Sequence, residues 1–191
     1  MPPSPTVVLP VRDFAGMSRL GAVLGPDERA RLARTLCTRA AIAVQEADLR
    51  LIIVSSSAEV ARWADDWGSE TWTDPGRGLS AAASAAVDRM GADPWIMLHA
   101  DLPLVTAPSL LAVADAVSSG PVLVPSHDGG TNVVASRGPF PFAYGAGSFH
   151  RHFAEVPHAT IISTAELSID IDSPAQLEAF PELSAASNLS P

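Results

Sequence analysis

The stretch Trp95–Pro125, WIMLHADLPLVTAPSLLAVADAVSSGPVLVP, decides the fold. The uncharged run Trp95–His99 leads through a polar turn into a helical pattern at Pro108–Val117, and a second apolar run follows at Pro121–Pro125. Runs that are apolar at every position suit strands covered on both faces. Strand, helix and strand in that order make a parallel βαβ unit with a right-handed crossover. The rhythm continues outward in both directions. Thr6–Val11, Leu49–Ser55 and Asn132–Ala135 read as further strands. Asp27–Ala47 follows Gly25-Pro26 and repeats Leu32, Leu36, Ala40 and Val44 at i, i+4 spacing, which predicts a long helix. Ser56-Ser57-Ala58-Glu59 carries a capping-box signature for a helix to about Trp67, and Leu79–Met90 is an alanine-rich helix. Ser173-Pro174-Ala175-Gln176 starts a last helix that runs to about Phe180. The pattern predicts an α/β protein, a three-layer α/β/α sandwich. Residues 1–182 form one domain in this reading, and 183–191 a flexible C-terminal tail. Two long connections, 12–25 and 126–150, interrupt the rhythm and are expected to carry function.

Composition narrows the chemistry. The chain has 191 residues, 47% hydrophobic and 17% charged, with a formal charge of −9. An acidic balance of this size argues against binding nucleic acid, which needs a basic face. All 12 basic residues are arginines, so any bound anion must be held by Arg, backbone N–H groups, hydroxyls or a metal. The single cysteine, Cys37, excludes an internal disulfide and a cysteine-rich zinc site. No signal peptide and no membrane span is legible, and the expected location is cytoplasmic.

Four segments could carry chemistry. Arg12 and Arg19 flank a polar loop after the first strand, a sensible place for a phosphate chain, although both also read as solvated charges. Asp101 directly follows an apolar strand at the edge where open α/β sheets place ligands; there it either holds a magnesium ion or caps a turn. In Ile169-Asp170-Ile171-Asp172, alternation puts both carboxylates on one face of a short strand, where they call for a nearby cation. Asp172 can alternatively join Ser173 in capping the last helix. Asp128-Gly129-Gly130-Thr131-Asn132 and Tyr144-Gly145-Ala146-Gly147-Ser148-Phe149-His150-Arg151-His152 are glycine-rich turns, the second running into a short helix. Consecutive N–H groups, the hydroxyls of Thr131 and Ser148, and charge from Arg151 or a histidine would make an anion site; idle turns are the alternative. Gly76-Arg77-Gly78-Leu79-Ser80 forms a further helix-start cradle. The four tryptophans and Cys37 read as packing residues, and no nucleophile elbow is present.

Taken in chain order, these motifs resemble the CofC/FbiD-like guanylyltransferases, which activate a phosphorylated three-carbon acid in coenzyme F-420 biosynthesis. The likeness covers about residues 6–180 and is sharpest from Asp101 onward. It implies a Rossmann-like nucleotidyltransferase fold of the nucleotide-diphospho-sugar-transferase type. It also implies GTP as donor, Mg²⁺ as cofactor, and phosphoenolpyruvate or 2-phospho-L-lactate as acceptor. By the same resemblance Asp101, Asp170 and Asp172 bind metal, and Thr131, Gly145 and Ser148 hold the acceptor. Gly78, Leu79 and Ser80 read base and ribose, Arg12 and Arg19 flank the triphosphate, and Arg19 with Asp101 is catalytic.

The chain departs from the family pattern in its opening loop. Arg12 and Met17 stand where the family usually carries lysines, and Ser80 where an asparagine is common. Two other readings stay open. One is a nucleotidyltransferase for another acceptor, such as 3-phospho-D-glycerate or a molybdopterin-type cofactor; the other is a non-catalytic nucleotide-binding homologue.

Overall fold

The computed structural model of the protein describes residues 3–183. Its strands are β1 (Thr6–Pro10), β2 (Leu51–Val54), β3 (Glu70–Trp72), β4 (Pro94–Leu98), β5 (Val122–Pro125), β6 (Thr131–Arg137) and β7 (Thr160–Ile161). They form one seven-stranded sheet in the order β3-β2-β1-β4-β6-β5-β7. The helices are α1 (Pro26–Glu46), α2 (Ala58–Asp66), α3 (Leu79–Met90), α4 (Ala107–Ala116), α5 (Ser148–Glu155), α6 (Ala165–Ser168) and α7 (Pro174–Glu178), with a short 3₁₀ helix at Ser18–Ala22.

Alternating side chains divide the core between the two faces of the sheet. Val7, Leu9, Ile96, Leu98, Val122 and Val124 pack with α1, α2 and α4 on one face. Val8, Ile52, Trp95, Met97, Leu123 and Val134 pack with α3 and the aromatic residues Phe140, Phe149 and Phe153 on the other. This is the three-layer sandwich that the strand–helix alternation implies. A third cluster joins Leu20 of the 3₁₀ helix, Leu32 and Leu36 of α1, Ile171, and Leu177 of α7. It pins the loop after β1 to the segment carrying Asp170 and Asp172. Leu183, the first residue of the expected tail, is buried in the same cluster. The rest of the expected tail, 184–191, lies outside the described residues.

Several local expectations change. The α2 cap is Ser57, whose side chain accepts from Val60 N–H, so Ser56 and Glu59 form no capping box. Glu59 pairs with Arg34 instead. Residues 169–172 belong to no sheet strand; Ile171 N–H donates to Asp101 O at 3.0 Å. Ser173 alone caps α7, accepting from Gln176 N–H, and leaves the Asp172 carboxylate free of that task.

The sheet is mostly parallel, as expected, and β6 is the strand that reverses. It runs antiparallel to both β4 and β5, with Leu98 opposite Val133 and Pro125 opposite Thr131. A connection as short as 126–130 cannot carry a parallel crossover, which takes a dozen or more residues. Reversal brings the start of β6 beside the carboxyl ends of β1, β4 and β5. Thr131 therefore shares a sheet edge with the loops that follow Pro10, Leu98 and Pro125. Among the described residues no helix is long and apolar enough to cross a membrane.

Candidate active site

Three adjoining cavities open along that edge, and Leu79 lines all of them. The first, about 300 Å³, is walled by Arg19, Asp101, Thr131, Gly145, Ser148, Asp170 and Asp172. The second, about 490 Å³, is walled by Arg12, Asp13, Asp74, Gly76, Gly78 and Leu79. A third, about 260 Å³, bridges them beneath Arg12 and Asp101. The fold thus brings nearly every sequence-predicted site residue to one trench. The exception is Ser80, which lines none of these three cavities; its Oγ accepts from Tyr144 N–H at 3.0 Å and ties α3 to the glycine-rich turn.

The carboxylates sit in contrasting surroundings. Asp101 Oδ1 is sealed from solvent and has no hydrogen-bond partner. Burial, with the Asp170 charge beside it, pushes the Asp101 pKa up to about 7. Asp170 is buried, and its Oδ1 lies 2.8 Å from Ser126 Oγ and 3.2 Å from His127 Nδ1. Burial also raises Asp172, against the opposing pull of Arg19, whose guanidinium pairs with it. Asp128 is held below its ordinary value by Gly130 N–H and the Ser126 hydroxyl. Among the described residues no three His, Cys, Asp or Glu side chains converge into a ready-made metal cage. The donor set nevertheless suits Mg²⁺, which binds through one or two carboxylates and completes its shell with phosphate oxygens and waters. An orphaned, sealed carboxylate oxygen on Asp101 is the feature that such a cation would satisfy.

The opposite wall is a hydrogen-bonded network. Ser148 Oγ lies 3.1 Å from Thr131 Oγ1, which lies 3.0 Å from His152 Nδ1. All three residues are buried. Gly145, at φ 117, adopts a backbone conformation that side-chain-bearing residues avoid, and it brings the turn's main chain to the cavity wall. Arg151 does not lend its charge to the cavity: its guanidinium donates to Ala143 O and Ala146 O and clamps the turn. His99 and Tyr144, in tilted ring contact at 5.2 Å, also line the cavity, and each buries a polar atom without a partner, Nε2 and the hydroxyl. Sequence reasoning assigned neither of them a role. The signal was present: His99 precedes Asp101 by two residues and Tyr144 opens the second glycine-rich turn.

At the rim of the larger cavity, Arg12 is exposed and pairs with Asp13 at 2.9 Å. Asp13 Oδ1 is buried without a partner. Met17 holds a left-handed backbone at φ 58 and caps the 3₁₀ helix. Cys37, at the floor of the bridging cavity, is buried with its thiol pushed up to about 12, so it stays protonated and unreactive.

This arrangement of carboxylates and glycine-rich turns at a switch in strand direction fits a nucleotidyltransferase. The sheet and helices resemble a Methanothermobacter thermautotroptrophicus nucleotidyl transferase, at TM-score 0.67 and 15% identity over 97% of this chain and 99% of that one. A Desulfovibrio desulfuricans protein assigned as a nucleotide-diphospho-sugar transferase matches at TM-score 0.74 and 14% identity, covering 98% of this chain and all of the other. Sequence relatives are nearer. A Sphaerobacter thermophilus phosphoenolpyruvate guanylyltransferase is 37% identical, over 90% of this chain and 89% of that protein. A Halorubrum lacusprofundi 2-phospho-L-lactate guanylyltransferase is 33% identical, over 90% and 81%. The "Guanylyl transferase CofC like" family matches residues 5–180, and the chain belongs to it.

Proposed function

We propose that the protein transfers GMP from GTP to phosphoenolpyruvate or 2-phospho-L-lactate, with release of pyrophosphate, as a cytoplasmic step of coenzyme F-420 biosynthesis. The observation that carries this reading is the juxtaposition of the orphaned Asp101 carboxylate with the Thr131–Ser148 hydroxyls across one small cavity, beside a larger one. The small cavity, about 300 Å³, suits a compact acid and the larger, about 490 Å³, a nucleoside. Relatives that use each of the two acids support the choice of acceptor.

A phosphate oxygen of the acid attacks the α-phosphorus of GTP in line. The new P–O bond forms as the α–β anhydride bond breaks, and pyrophosphate carries away the electron pair. No protein nucleophile is needed, so the chain contributes position and charge. Asp101 would hold Mg²⁺, with Asp170 and Asp172 beside it. Magnesium, when bound, neutralises phosphate charge and polarises the phosphoryl group under attack. Thr131, Ser148 and the Gly145 turn hold the acid's anionic groups. Arg19, with 71% of its side chain exposed, is free to exchange its Asp172 partner for a phosphate oxygen. Gly78 and Leu79 face the nucleoside, and Arg12 meets its phosphates from the outer rim.

The test is pyrophosphate release across four nucleoside triphosphates and three acids, with and without EDTA. Release is expected with GTP and one or both of the named acids, and chelation should abolish it. Release with 3-phospho-D-glycerate alone, or magnesium-dependent GTP binding without turnover on any acid, would overturn the proposal.

A further inference from the structure

The acceptor wall contains a histidine that the reaction itself does not use. His152 is fully buried, packed among Phe140, Phe142 and Tyr144. Its Nε2 accepts the Ala143 N–H at 2.8 Å. Ala143 is also held through the next peptide group, whose carbonyl, Ala143 O, accepts two bonds from Arg151. A ring nitrogen that accepts carries no hydrogen, so a neutral His152 keeps its proton on Nδ1. Burial, reinforced by the Arg151 charge, holds the pKa at about 4 and keeps the ring neutral.

The consequence falls on the hydroxyl pair. Nδ1–H faces Thr131 Oγ1 at 3.0 Å, and Thr131 Oγ1 faces Ser148 Oγ at 3.1 Å. With the imidazole donating, the pair holds two hydroxyl hydrogens and needs one for the bond between them. One is left over, whichever hydroxyl supplies the shared bond, and both residues line the cavity. The opposite tautomer would reverse this balance. Nδ1 would accept the Thr131 hydrogen, Ser148 would donate to Thr131, and only lone pairs would face the cavity. Lone pairs repel an anion.

We propose that His152, fixed as the Nδ1–H tautomer by the Ala143 amide, is a positioning residue that makes the Thr131–Ser148 pair a hydrogen-bond donor to the anionic acceptor. This rests on the guanylyltransferase reading for the identity of the acceptor, though not for the state of the ring. An amide side chain carries a donor and an acceptor on adjacent atoms and can reproduce the polarity, whereas a phenyl ring preserves only the packing.

Two measurements test it. In the wild-type protein at neutral pH, long-range nitrogen–hydrogen NMR correlations on ¹⁵N-histidine should report Nδ1–H for His152. An Nε2–H tautomer or an imidazolium overturns the proposal, whatever acid the enzyme uses. In steady-state kinetics, His152→Phe should raise KM for the acceptor about tenfold, the worth of one hydrogen bond to a charged group. Its kcat and KM for GTP should stay within about twofold of wild type, and His152→Gln should recover most of the loss. An unchanged acceptor KM in a folded His152→Phe protein overturns it, as does a Gln variant no better than Phe. If wild type turns over neither phosphoenolpyruvate nor 2-phospho-L-lactate, the functional reading has failed while the spectrum still decides the tautomer.

Discussion

The two ends of the trench are built in opposite ways. At the smaller cavity, the proposed acceptor end, Thr131, Ser148 and His152 are buried and hydrogen-bonded to one another. At the larger cavity, the proposed nucleotide end, the Arg12 side chain is 80% exposed and pairs with its neighbour Asp13. Gly76 and Gly78 stand at positive φ with open space where a side chain would be. A desolvated network is stiff, and each missing member leaves a partner unsatisfied. An exposed guanidinium is screened by water and salt, so its removal costs little. The end with the buried network is preorganised, and on the proposed reading it takes the acceptor, while the exposed end is completed by the nucleotide.

Asp101 stands between the two, and its loss should have the largest effect. Asp101→Asn is expected to lower turnover by about two orders of magnitude or more, since electrostatic groups of this kind contribute roughly 3 kcal/mol. Near-normal activity would remove Asp101 from the reaction centre. The same substitution should act on stability with the opposite sign. The folded Asp101 pKa, about 7, lies above the ordinary carboxyl value of 3.8, so the folded state binds the extra proton between them. Stability is therefore lost as pH rises through that window. Without magnesium, Asp101→Asn should melt above wild type at pH 8, and the gap should close near pH 4. A gap that does not change with pH would show that the carboxyl is not strained by burial.

Thr131→Val comes next. It removes the centre of the acceptor network and strands the His152 Nδ1–H in the interior, a loss of about 1–3 kcal/mol in stability. Acceptor KM should rise by more than about tenfold, because binding loses a charge-assisted bond and its scaffold together. Ser148→Ala leaves the His152–Thr131 bond in place, so the expected rise is at most about tenfold, with KM for GTP barely moved. A Ser148→Ala protein that weakens GTP and spares the acid would mean the two ends have been assigned the wrong way round. The smallest effect belongs to Arg12→Ala, for which KM for GTP should rise about threefold, in line with an exposed ion pair. A thirtyfold rise would erase the contrast between the ends.

Much of the layout was legible from periodicity. Leu32, Leu36, Ala40 and Val44, spaced by four, are all buried on α1. The apolar runs at β1, β2, β4 and β5 are strands because uncharged residues on both faces have nowhere else to be buried. The elements that escaped notice are those too short to show a period. β3 has three residues and β7 two, and α6 is a single turn. β3 and β7 exist because neighbouring strands supply their hydrogen bonds, and α6 closes on itself, Ser168 N–H donating to Thr164 O.

The chain alone determined the chemistry on offer: twelve arginines and no lysine, aspartates after apolar runs, hydroxyls beside glycine-rich turns. Residue type and spacing are local properties, and they survive reading one dimension at a time. Tertiary structure decided which of these groups work and which support. Reversing β6 carried Thr131 to the edge that holds Asp101. Packing then sealed Asp101 Oδ1 from water, turned Arg151 onto two carbonyls and buried His152 as a neutral ring. Solvation and hydrogen-bond direction depend on everything packed around a group. Neighbours such as Ala143 for His152, or Arg19 for Asp172 across 153 positions, come together only when the sheet forms.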